Sequence, residues 1–547
     1  MLRFPRCGAR SSAPLLLSIA LAALAPARAQ DLDELIRVRV EQLQATGELE
    51  VAGVSIAARN LIPRIYEGRA FMPAWRTVSQ VDSLLEIIEE SYLEGLDPED
   101  YHADAVRAAR VALTDEALAP GERAGLDILL TDSVIRLGYH LRFGKVDPVE
   151  LDPHWNFSRE LMGIDPAEVI QAAIDAPSMR EFANAVIPRG FLYRRLKTAL
   201  AQYRAAAAAG AWPLVESGVL LRPGMSDPRV PKLAERLVAS GDLDADAAAF
   251  GAIYDDAIAA AVRRFQRRHG LSADGAVGPS TLAALNVSIE RRIEQIRANL
   301  ERARWVFNEV ESDFILVNIA AFRLELVRRG ETVLSMRVQV GQPYRRTPVF
   351  KATMRYLVFN PTWTVPPTIL RRDILPAQRS DPAYLAGRNI DVIDDNGMIV
   401  DAATIDWVNH RSFPYRFVQR PGPTNALGRV KFMFPNEHAV YLHDTPSRDL
   451  FEREARAFSS GCIRVENPLE LALTLLGDRW NGERIDALLR SGRTETVFLD
   501  DPITVMLLYW TTEVDEDGQV LFLPDVYARD GAVIEALATP FRASDVL

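Results

Sequence analysis

Of the two cysteines in the 547-residue sequence, Cys462 has the neighbours of a reactive nucleophile. It ends the small-residue run Ser459-Ser460-Gly461-Cys462, and His443 precedes this run in the chain. A thiol at its ordinary pKa is mostly protonated at neutral pH, and an imidazole that accepts the proton makes the sulfur nucleophilic. The pair therefore predicts acyl transfer through a thioester on Cys462. The alternative is an inert buried thiol and a core histidine.

The residues before His443 alternate as in a β-strand, which decides where the imidazole faces. Val440 and Leu442 are expected to face the core, and Tyr441 and His443 the other side. Small residues predict a turn at the thiol, and backbone N–H groups around Gly461 are expected to hold the oxyanion of an attacked amide. A helix over residues 463–475 would add an N-terminus that favours the thiolate.

The histidine spacing predicts no metal and no cofactor. His438 and His443 are an odd number of residues apart, so in one strand they face opposite sides. His102, His140 and His154 are scattered, and the chain has no His-Glu-x-x-His motif. It also lacks Ser-x-x-Lys, which disfavours a serine acyl-transfer mechanism.

Charge and the N-terminal residues suggest where the protein works. The net charge of -11 argues against a nucleic-acid partner, because phosphate binding needs clustered basic residues. Residues 1–29 resemble a secretory signal peptide, with arginines, an apolar run over 15–25 and Ala27-Arg28-Ala29 for cleavage. We therefore expect a periplasmic protein with one thiol, since Cys7 lies in the signal. The alternative, a membrane anchor, is disfavoured because the run is shorter than the ~20 residues that span a bilayer.

An α+β multidomain fold is expected, because apolar residues first recur at helical spacing and later alternate as in strands. The predicted parts are a mostly α-helical scaffold domain (30–225), a small three-helix module (226–290), a connector helix (291–311), a β-rich catalytic domain (312–500) and a C-terminal extension (501–547). Proline-rich residues at about 366–425 predict a lid-like insertion with little regular structure. In the extension, residues 503–514 and 519–522 predict a hairpin that packs on the catalytic or scaffold domain.

Two stretches resemble known families. Residues 254–286, YDDAIAAAVRRFQRRHGLSADGAVGPSTLAALN, resemble the peptidoglycan-binding module of many wall enzymes, with a generic helical bundle as the alternative. Residues 439–468 resemble the active-site region of L,D-transpeptidases, in which a histidine and a spacer precede Ser/Thr-His-Gly-Cys. The domain order resembles the large scaffolded members from Gram-negative bacteria, and Arg69-Ala70-Phe71 and Gly95-Leu96-Asp97-Pro98 are similar to their opening motif.

The resemblance implies a role for each residue of the motif. Cys462 would be the nucleophile, His443 the general base and later the acid, and Gly461 part of the oxyanion hole. Ser460 belongs to the same catalytic loop but stands where the wider family has histidine. A mechanism that needs a second imidazole is therefore in doubt here.

The resemblance also implies a substrate groove. Tyr441 and Trp363 would be apolar walls for a stem peptide, although core packing is an equal alternative for Trp363. Ser459 and Arg464 would also line the groove, and Arg464 would orient the catalytic loop or meet a substrate carboxylate.

The function implied by the resemblance is transfer of peptidoglycan stem peptides, with formation of 3-3 cross-links and acylation by carbapenems. Two alternatives remain open. In one, water or another amine resolves the same acyl-enzyme, which would make an L,D-carboxypeptidase or a different acyltransferase. In the other, the chain is a non-catalytic scaffold that binds peptidoglycan. The sequence identifies no protein partner.

Overall fold

A computed structural model describes residues 31–541 of the chain, except 116, 160–162, 245–250, 307–310 and 408–413. The predicted signal peptide therefore lies outside the described residues. The α+β multidomain class is confirmed, because helices dominate up to residue 306 and strands dominate from residue 314. Among the described helices, none is long and apolar enough to cross a membrane.

The N-terminal helices pack around one buried helix, residues 120–143. Polar groups of that helix are paired in the core: Asp127 accepts hydrogen bonds from the Tyr66 hydroxyl at 2.6 Å and from the Ala74 N–H at 2.9 Å. Pairing makes their burial tolerable. The elements of this part are α1 (Leu32–Thr46), β1 (Glu50–Val51), β2 (Val54–Ser55), α2 (Leu61–Gly68), α3 (Val78–Glu90), α4 (Ala103–Ala112), α5 (Pro120–Phe143), α6 (Pro148–Leu151), α7 (Pro166–Asp175), α8 (Arg180–Val186) and α9 (Phe191–Ala209).

The small module has a core of its own. Its helices are α10 (Val230–Ala239), α11 (Asp256–Arg268) and α12 (Pro279–Leu285). Asp255 caps α11 by accepting a hydrogen bond from the Ile258 N–H at 2.9 Å, and Phe265 of the same helix is fully buried. The helical spacing seen in the sequence thus corresponds to the faces that meet in this core.

Helix α13 (Ile289–Val306) follows the module. The sequence predicted only a connector helix here, but α13 is a buried element that contacts several other parts of the chain. Most of its residues are buried, and it packs against α9, α5 and the C-terminal part of the chain. Its charges are paired inside the protein: Arg302 contacts Asp530 at 2.6 Å, and Arg304 contacts Glu301 at 3.0 Å. Pairing of buried charges explains how so charged a helix can lie between domains.

The predicted catalytic domain is built on one large sheet. Its elements, in chain order and with those of the insertion and the C-terminal region, are β3 (Phe314–Asn318), β4 (Arg323–Arg328), β5 (Glu331–Gly341), β6 (Phe350–Phe359), β7 (Trp363–Thr364), α14 (Pro367–Ile369), α15 (Leu375–Ser380), α16 (Tyr384–Gly387), β8 (Ile390–Ile393), β9 (Ile399–Val400), β10 (Arg416–Gln419), β11 (Val430–Met433), β12 (Leu442–His443), β13 (Ala457–Ser459), β14 (Ile463–Val465), α17 (Pro468–Leu476), α18 (Gly482–Ser491), β15 (Glu495–Leu508), β16 (Thr512–Val514), β17 (Val520–Phe522) and α19 (Asp530–Ala538). Among the described residues, the order of the large sheet is β13-β5-β14-β12-β11-β6-β15-β3-β4, and β4 also pairs with β5.

Strand β15 corrects the predicted C-terminal extension. The sequence predicted a hairpin from 503–514 and 519–522, outside a catalytic domain that ends at 500. Instead, residues 495–508 form a strand inside the large sheet, parallel to β3 and antiparallel to β6, and only β16 and β17 form the hairpin. The reason is the continuous apolar run from Val505 to Leu508, which is buried on both faces and needs a central position.

The insertion is more regular than the sequence predicted. Strands β7, β10, β8 and β9 pair in that order, and short helices precede β8. A separate apolar core, which includes Val365, Ile374, Leu385 and Phe417, lies beneath them. The strands of the insertion have only two to four residues each, and β10 pairs with β7 and β8 across long stretches of chain. For this reason no local sequence pattern indicated them.

Candidate active site

The register of β12 and β14 brings the predicted catalytic residues onto one face. These strands are parallel, with Leu442 opposite Ile463 and His443 opposite Arg464, so Cys462 falls beside Tyr441. Side chains alternate along each strand, and the imidazole, the thiol and the guanidinium of Arg464 therefore share a face. On the other face, Leu442 and Ile463 are fully buried, as the alternation predicted.

Residues 463–475 do not form the helix that the sequence considered next to the thiol. Ile463, Arg464 and Val465 are the strand β14, and α17 begins only at Pro468. Alternating branched residues favour the strand, and proline is well suited to a first helical turn. A helix N-terminus is therefore not what tunes Cys462.

The thiol of Cys462 is partly exposed and surrounded by polar groups. It donates to the Ala439 carbonyl at 3.8 Å, and the Tyr441 hydroxyl and main chain hydrogen-bond the sulfur. Burial raises the pKa of the Cys462 thiol above its ordinary value, and these bonds together with the charges of Lys431 and Arg464 oppose that rise. The resting sulfur is thus a protonated thiol at neutral pH.

His443 is buried, and its tautomer follows from its partner. Its Nδ1 lies 2.5 Å from the Asp444 carbonyl oxygen, which only accepts, so Nδ1 carries the proton. Nε2 is then left as an acceptor. Burial lowers the pKa of His443 to about 3, and the positive charges of Arg464 and Lys431 contribute. The imidazole is therefore neutral at neutral pH, with Nε2 unprotonated, and it lies on the same face as a neutral thiol.

Hydrogen bonds inside the Cys462 loop hold its backbone. Ser459 Oγ donates to the Cys462 carbonyl at 2.5 Å and accepts from the Gly461 N–H at 3.1 Å. The Gly461 φ of 118° lies in a region that L side chains rarely adopt, which explains the glycine. The Gly461 N–H predicted for the oxyanion hole is thus bonded to Ser459, whose side chain acts on the loop itself.

Support for this loop comes from residues that sequence reasoning missed. Thr347 Oγ1 donates to the Gly461 carbonyl at 2.8 Å and accepts from the Gly341 N–H at 2.9 Å. Tyr527, near the C-terminus, donates its hydroxyl to the Gly341 carbonyl at 2.6 Å. The same hydroxyl accepts from the Thr347 N–H at 3.1 Å. Neither residue belongs to a motif or lies near Cys462 in the sequence, so no local signal marked them.

Ser460 is linked to the insertion through an ion pair. Arg345 donates to Ser460 Oγ at 2.8 Å and to the carboxylate of Asp373 at 2.7 Å. Asp373 belongs to the turn Leu370–Ile374 of the insertion. Ser460 therefore connects the Cys462 loop with the predicted lid through Arg345 and Asp373.

The predicted groove residues lie in two different sheets. Tyr441 stands beside Cys462, with the Lys431 ammonium 4.3 Å from its ring centroid. Arg464 donates to Gln339 at 3.1 Å, and its Nε is buried without a hydrogen-bond partner among the described residues. Trp363 lies in β7 of the insertion and packs against that core. The structure therefore brings Tyr441 and Arg464 to the thiol, whereas Trp363 belongs to the insertion.

Three family models match successive parts of the chain. The model described as "Scaffold domain" matches residues 60–200, and that described as "Putative peptidoglycan binding domain" matches residues 226–285. The model described as "L,D-transpeptidase catalytic domain" matches residues 312–491, which include β12, the Cys462 loop and the insertion.

Curated relatives cover parts of the chain. A Haemophilus influenzae protein named "Putative L,D-transpeptidase" is 39% identical over 244 residues, which are 43% of this chain and 48% of the relative. A Bacillus licheniformis protein named "Probable N-acetylmuramoyl-L-alanine amidase" is 42% identical over 72 residues, which are 13% of this chain and 20% of the relative. The chain thus spans about half the length of the first relative.

Among solved structures, an L,D-transpeptidase from Xylanimonas cellulosilytica is 16% identical, with a TM-score of 0.17, and the match covers 54% of this chain and 99% of that chain. At this TM-score the likeness adds nothing to the fold assignment.

Proposed function

We propose that this chain, which carries an L,D-transpeptidase catalytic domain at residues 312–491, transfers peptidoglycan stem peptides through Cys462. The observation that carries the proposal is the parallel register of β12 and β14, which puts the thiol and the His443 imidazole on one face. A neutral imidazole with a free Nε2 is the form that accepts a thiol proton. We infer that His443 is the general base and Cys462 the nucleophile.

In the proposed first half-reaction, proton transfer accompanies attack, because both groups are neutral at rest. His443 Nε2 takes the thiol proton as sulfur attacks the carbonyl carbon between the third and fourth residues of a donor tetrapeptide stem. The imidazolium gives this proton to the leaving amine as the C–N bond breaks. D-alanine departs and a thioester remains on Cys462.

In the second half-reaction, the side-chain amine of another stem attacks the thioester. His443 accepts a proton from that amine and returns it to the sulfur as the C–S bond breaks. The product is a 3-3 cross-link and the free enzyme. In this proposal the Gly461 N–H breaks its hydrogen bond to Ser459 Oγ and donates to the substrate oxygen instead, which stabilises the oxyanion of each step.

The substrate contacts are proposals of the same kind. Arg464, whose Nε has no hydrogen-bond partner among the described residues, shares the face of the thiol and is suited to a stem carboxylate. Tyr441 offers its ring as an apolar wall, and Trp363 contributes through the insertion that carries it. Residues 226–290 are proposed to bind peptidoglycan, supported by the family model that matches residues 226–285.

Export to the periplasm is proposed from residues 1–29, which lie outside the described residues. N-terminal sequencing of exported protein should begin at Gln30. Retention of Met1 would support the membrane anchor instead.

The test is mass spectrometry of disaccharide-tetrapeptide incubated with the purified protein. We expect cross-linked dimer and released D-alanine from wild type and neither from Cys462→Ser. Tripeptide without dimer would establish the L,D-carboxypeptidase, and unchanged substrate would favour a non-catalytic scaffold. Intact-mass measurement with a carbapenem should show one adduct on wild type, at Cys462, and none on Cys462→Ser.

A further inference from the structure

Two histidines that the sequence left unconnected meet at the boundary between the scaffold segment and the catalytic domain. His154 follows α6, and His438 precedes β12. Their ring centroids are 4.6 Å apart, with an angle of 70° between the rings. Glu437 adds a carboxylate oxygen 3.7 Å from His438 Nε2. One ligand atom from each of the three residues lies within 4.8 Å of the others.

We propose that His154, Glu437 and His438 bind a divalent transition metal of the zinc class, and that this ion ties the scaffold segment to the catalytic domain. Two imidazoles and one carboxylate, with water as fourth ligand, are a ligand set that zinc accepts. At Zn–N distances of about 2.0–2.1 Å, tetrahedral ligand atoms lie roughly 3.3 Å apart. Rotation of the exposed His154 and Glu437 side chains closes the remaining gap.

Both backbone segments that carry the ligands are held in place. On one side, Asn436 Oδ1 accepts from the N–H groups of His438 at 3.0 Å and Val440 at 3.2 Å, which fixes the turn around Glu437. On the other side, Asn156 donates to the Lys351 carbonyl at 2.8 Å and accepts from its N–H at 2.9 Å. The loop of His154 is thereby docked on the first residues of β6, and the metal would find its ligands preorganised.

The surroundings of His438 combine open space with charges of both signs. A cavity of about 640 Å³ adjoins His438 and gives room for a metal-bound water. Lys351 and Arg355, which line the same cavity, are positively charged, so binding of a cation beside them depends on the carboxylate of Glu437.

The site also lies one residue from the catalytic centre along the chain. Ala439, directly after His438, offers the carbonyl that accepts the Cys462 thiol, and its φ of 52° is unusual for a residue other than glycine. An ion on His438 would therefore hold the backbone from which the thiol's acceptor projects. The proposal concerns metal binding and stands whether or not the chain proves to be a transpeptidase.

The test is calorimetric titration of ZnCl₂ into the full chain carrying Cys462→Ser, after dialysis against EDTA. This substitution removes the thiol, so that Cys462 and His443 cannot bind zinc together. We expect one zinc per chain and a rise in melting temperature. In the same background, His154→Ala and His438→Ala should each weaken binding at least ~100-fold, the upper end of the cost of losing even an indirect partner of a metal site.

The carboxylate has a matched control. Glu437→Gln should weaken binding ~10-fold or more, whereas Glu483→Gln, an exposed acid on α18, should leave it unchanged. Thermal melts of the metal-free variants show whether each variant is folded. If His154→Ala does not fold, His154→Gln replaces it in the binding measurement. The proposal is overturned if the Cys462→Ser protein binds no zinc, or if folded His154 variants bind it as tightly as their parent.

Discussion

Replacement of Tyr441 by phenylalanine tests the electrostatics of the thiol most directly. The Tyr441 hydroxyl hydrogen-bonds the Cys462 sulfur and lowers the thiol pKa, against the rise caused by burial. In Tyr441→Phe the ring stays and only this hydroxyl is lost. The thiolate loses one donor, so the pKa of Cys462 should rise further.

The size of the shift follows from the strength of the lost bond. A hydrogen bond to a charged group contributes about 1.5–3 kcal/mol, and one pKa unit corresponds to about 1.36 kcal/mol. The expected rise is therefore roughly one to two units. Because the Tyr441 main chain still hydrogen-bonds the sulfur, we expect the lower end, about one unit.

The assay is the pH dependence of alkylation by iodoacetamide, followed on the Cys462 peptide so that Cys7 does not interfere. The midpoint is the observable, because a thiolate also becomes more nucleophilic as its pKa rises. For wild type the midpoint should lie above that of free cysteine, about 8.5. Tyr356→Phe, on β6 against Phe498, is the matched control and should leave the midpoint unchanged. Equal midpoints for Tyr441→Phe and wild type, with native melts, would refute this account of the thiol.

Four further results are expected. His443→Ala should keep a native thermal melt but lose at least ~10²-fold in turnover of disaccharide-tetrapeptide. The control His438→Ala should lose far less turnover. Near-normal turnover of His443→Ala would mean that another residue is the base. Since the folded pKa of His443 is about 3 and an unfolded histidine titrates near ~6.5, wild type should lose stability as pH falls through that interval, by at most ~5 kcal/mol. Urea unfolding of His443→Gln should show a shallower loss on acidification, and parallel curves would contradict the buried neutral imidazole. Thr347→Val removes the hydrogen bonds of this hydroxyl to the Gly461 carbonyl and from the Gly341 N–H. It should lower the melting temperature and lower turnover ~5-fold in the folded protein; unchanged turnover would show that this support is dispensable. Asp373→Asn breaks the ion pair with Arg345 and should speed hydrogen exchange in residues 366–380, and identical exchange would mean that the pair does not restrain the insertion.

The strand that carries His443 could be predicted because the alternation of apolar and polar residues that indicates it lies within the strand itself. Alternation around Leu442 separates a core face from an active face, and the burial pattern of the structure agrees. The helical spacing of the module is local in the same way. The catalytic roles of Cys462 and His443, the groove residues and the domain boundaries remain predictions for the experiments above.

What could not be predicted depends on contacts between distant parts of the chain. Tyr527 supports Gly341, and His154 meets His438, although long stretches of sequence separate each pair. The apolar run of β15 is compatible with an edge hairpin or a central strand, and only its pairing with β3 and β6 decides between them. The hydrogen bond from the Gly461 N–H to Ser459 Oγ was not predicted either, because the sequence does not show where the Ser459 side chain points.

The place of β15 also bears on when the protein becomes active during synthesis. A nascent chain that has reached Ser491 already contains Cys462, His443 and every residue matched by the catalytic-domain model. It still lacks β15, so β6 and β3 have no strand between them and the sheet is held together there only by the pairing of β4 with β5. It also lacks Tyr527 behind the thiol loop. A reactive cysteine is thereby kept from a finished site until β15 and Tyr527 have been made. For the same reason, a fragment cut at residue 491 should not fold, whereas one that continues through α19 retains the parts that the site requires.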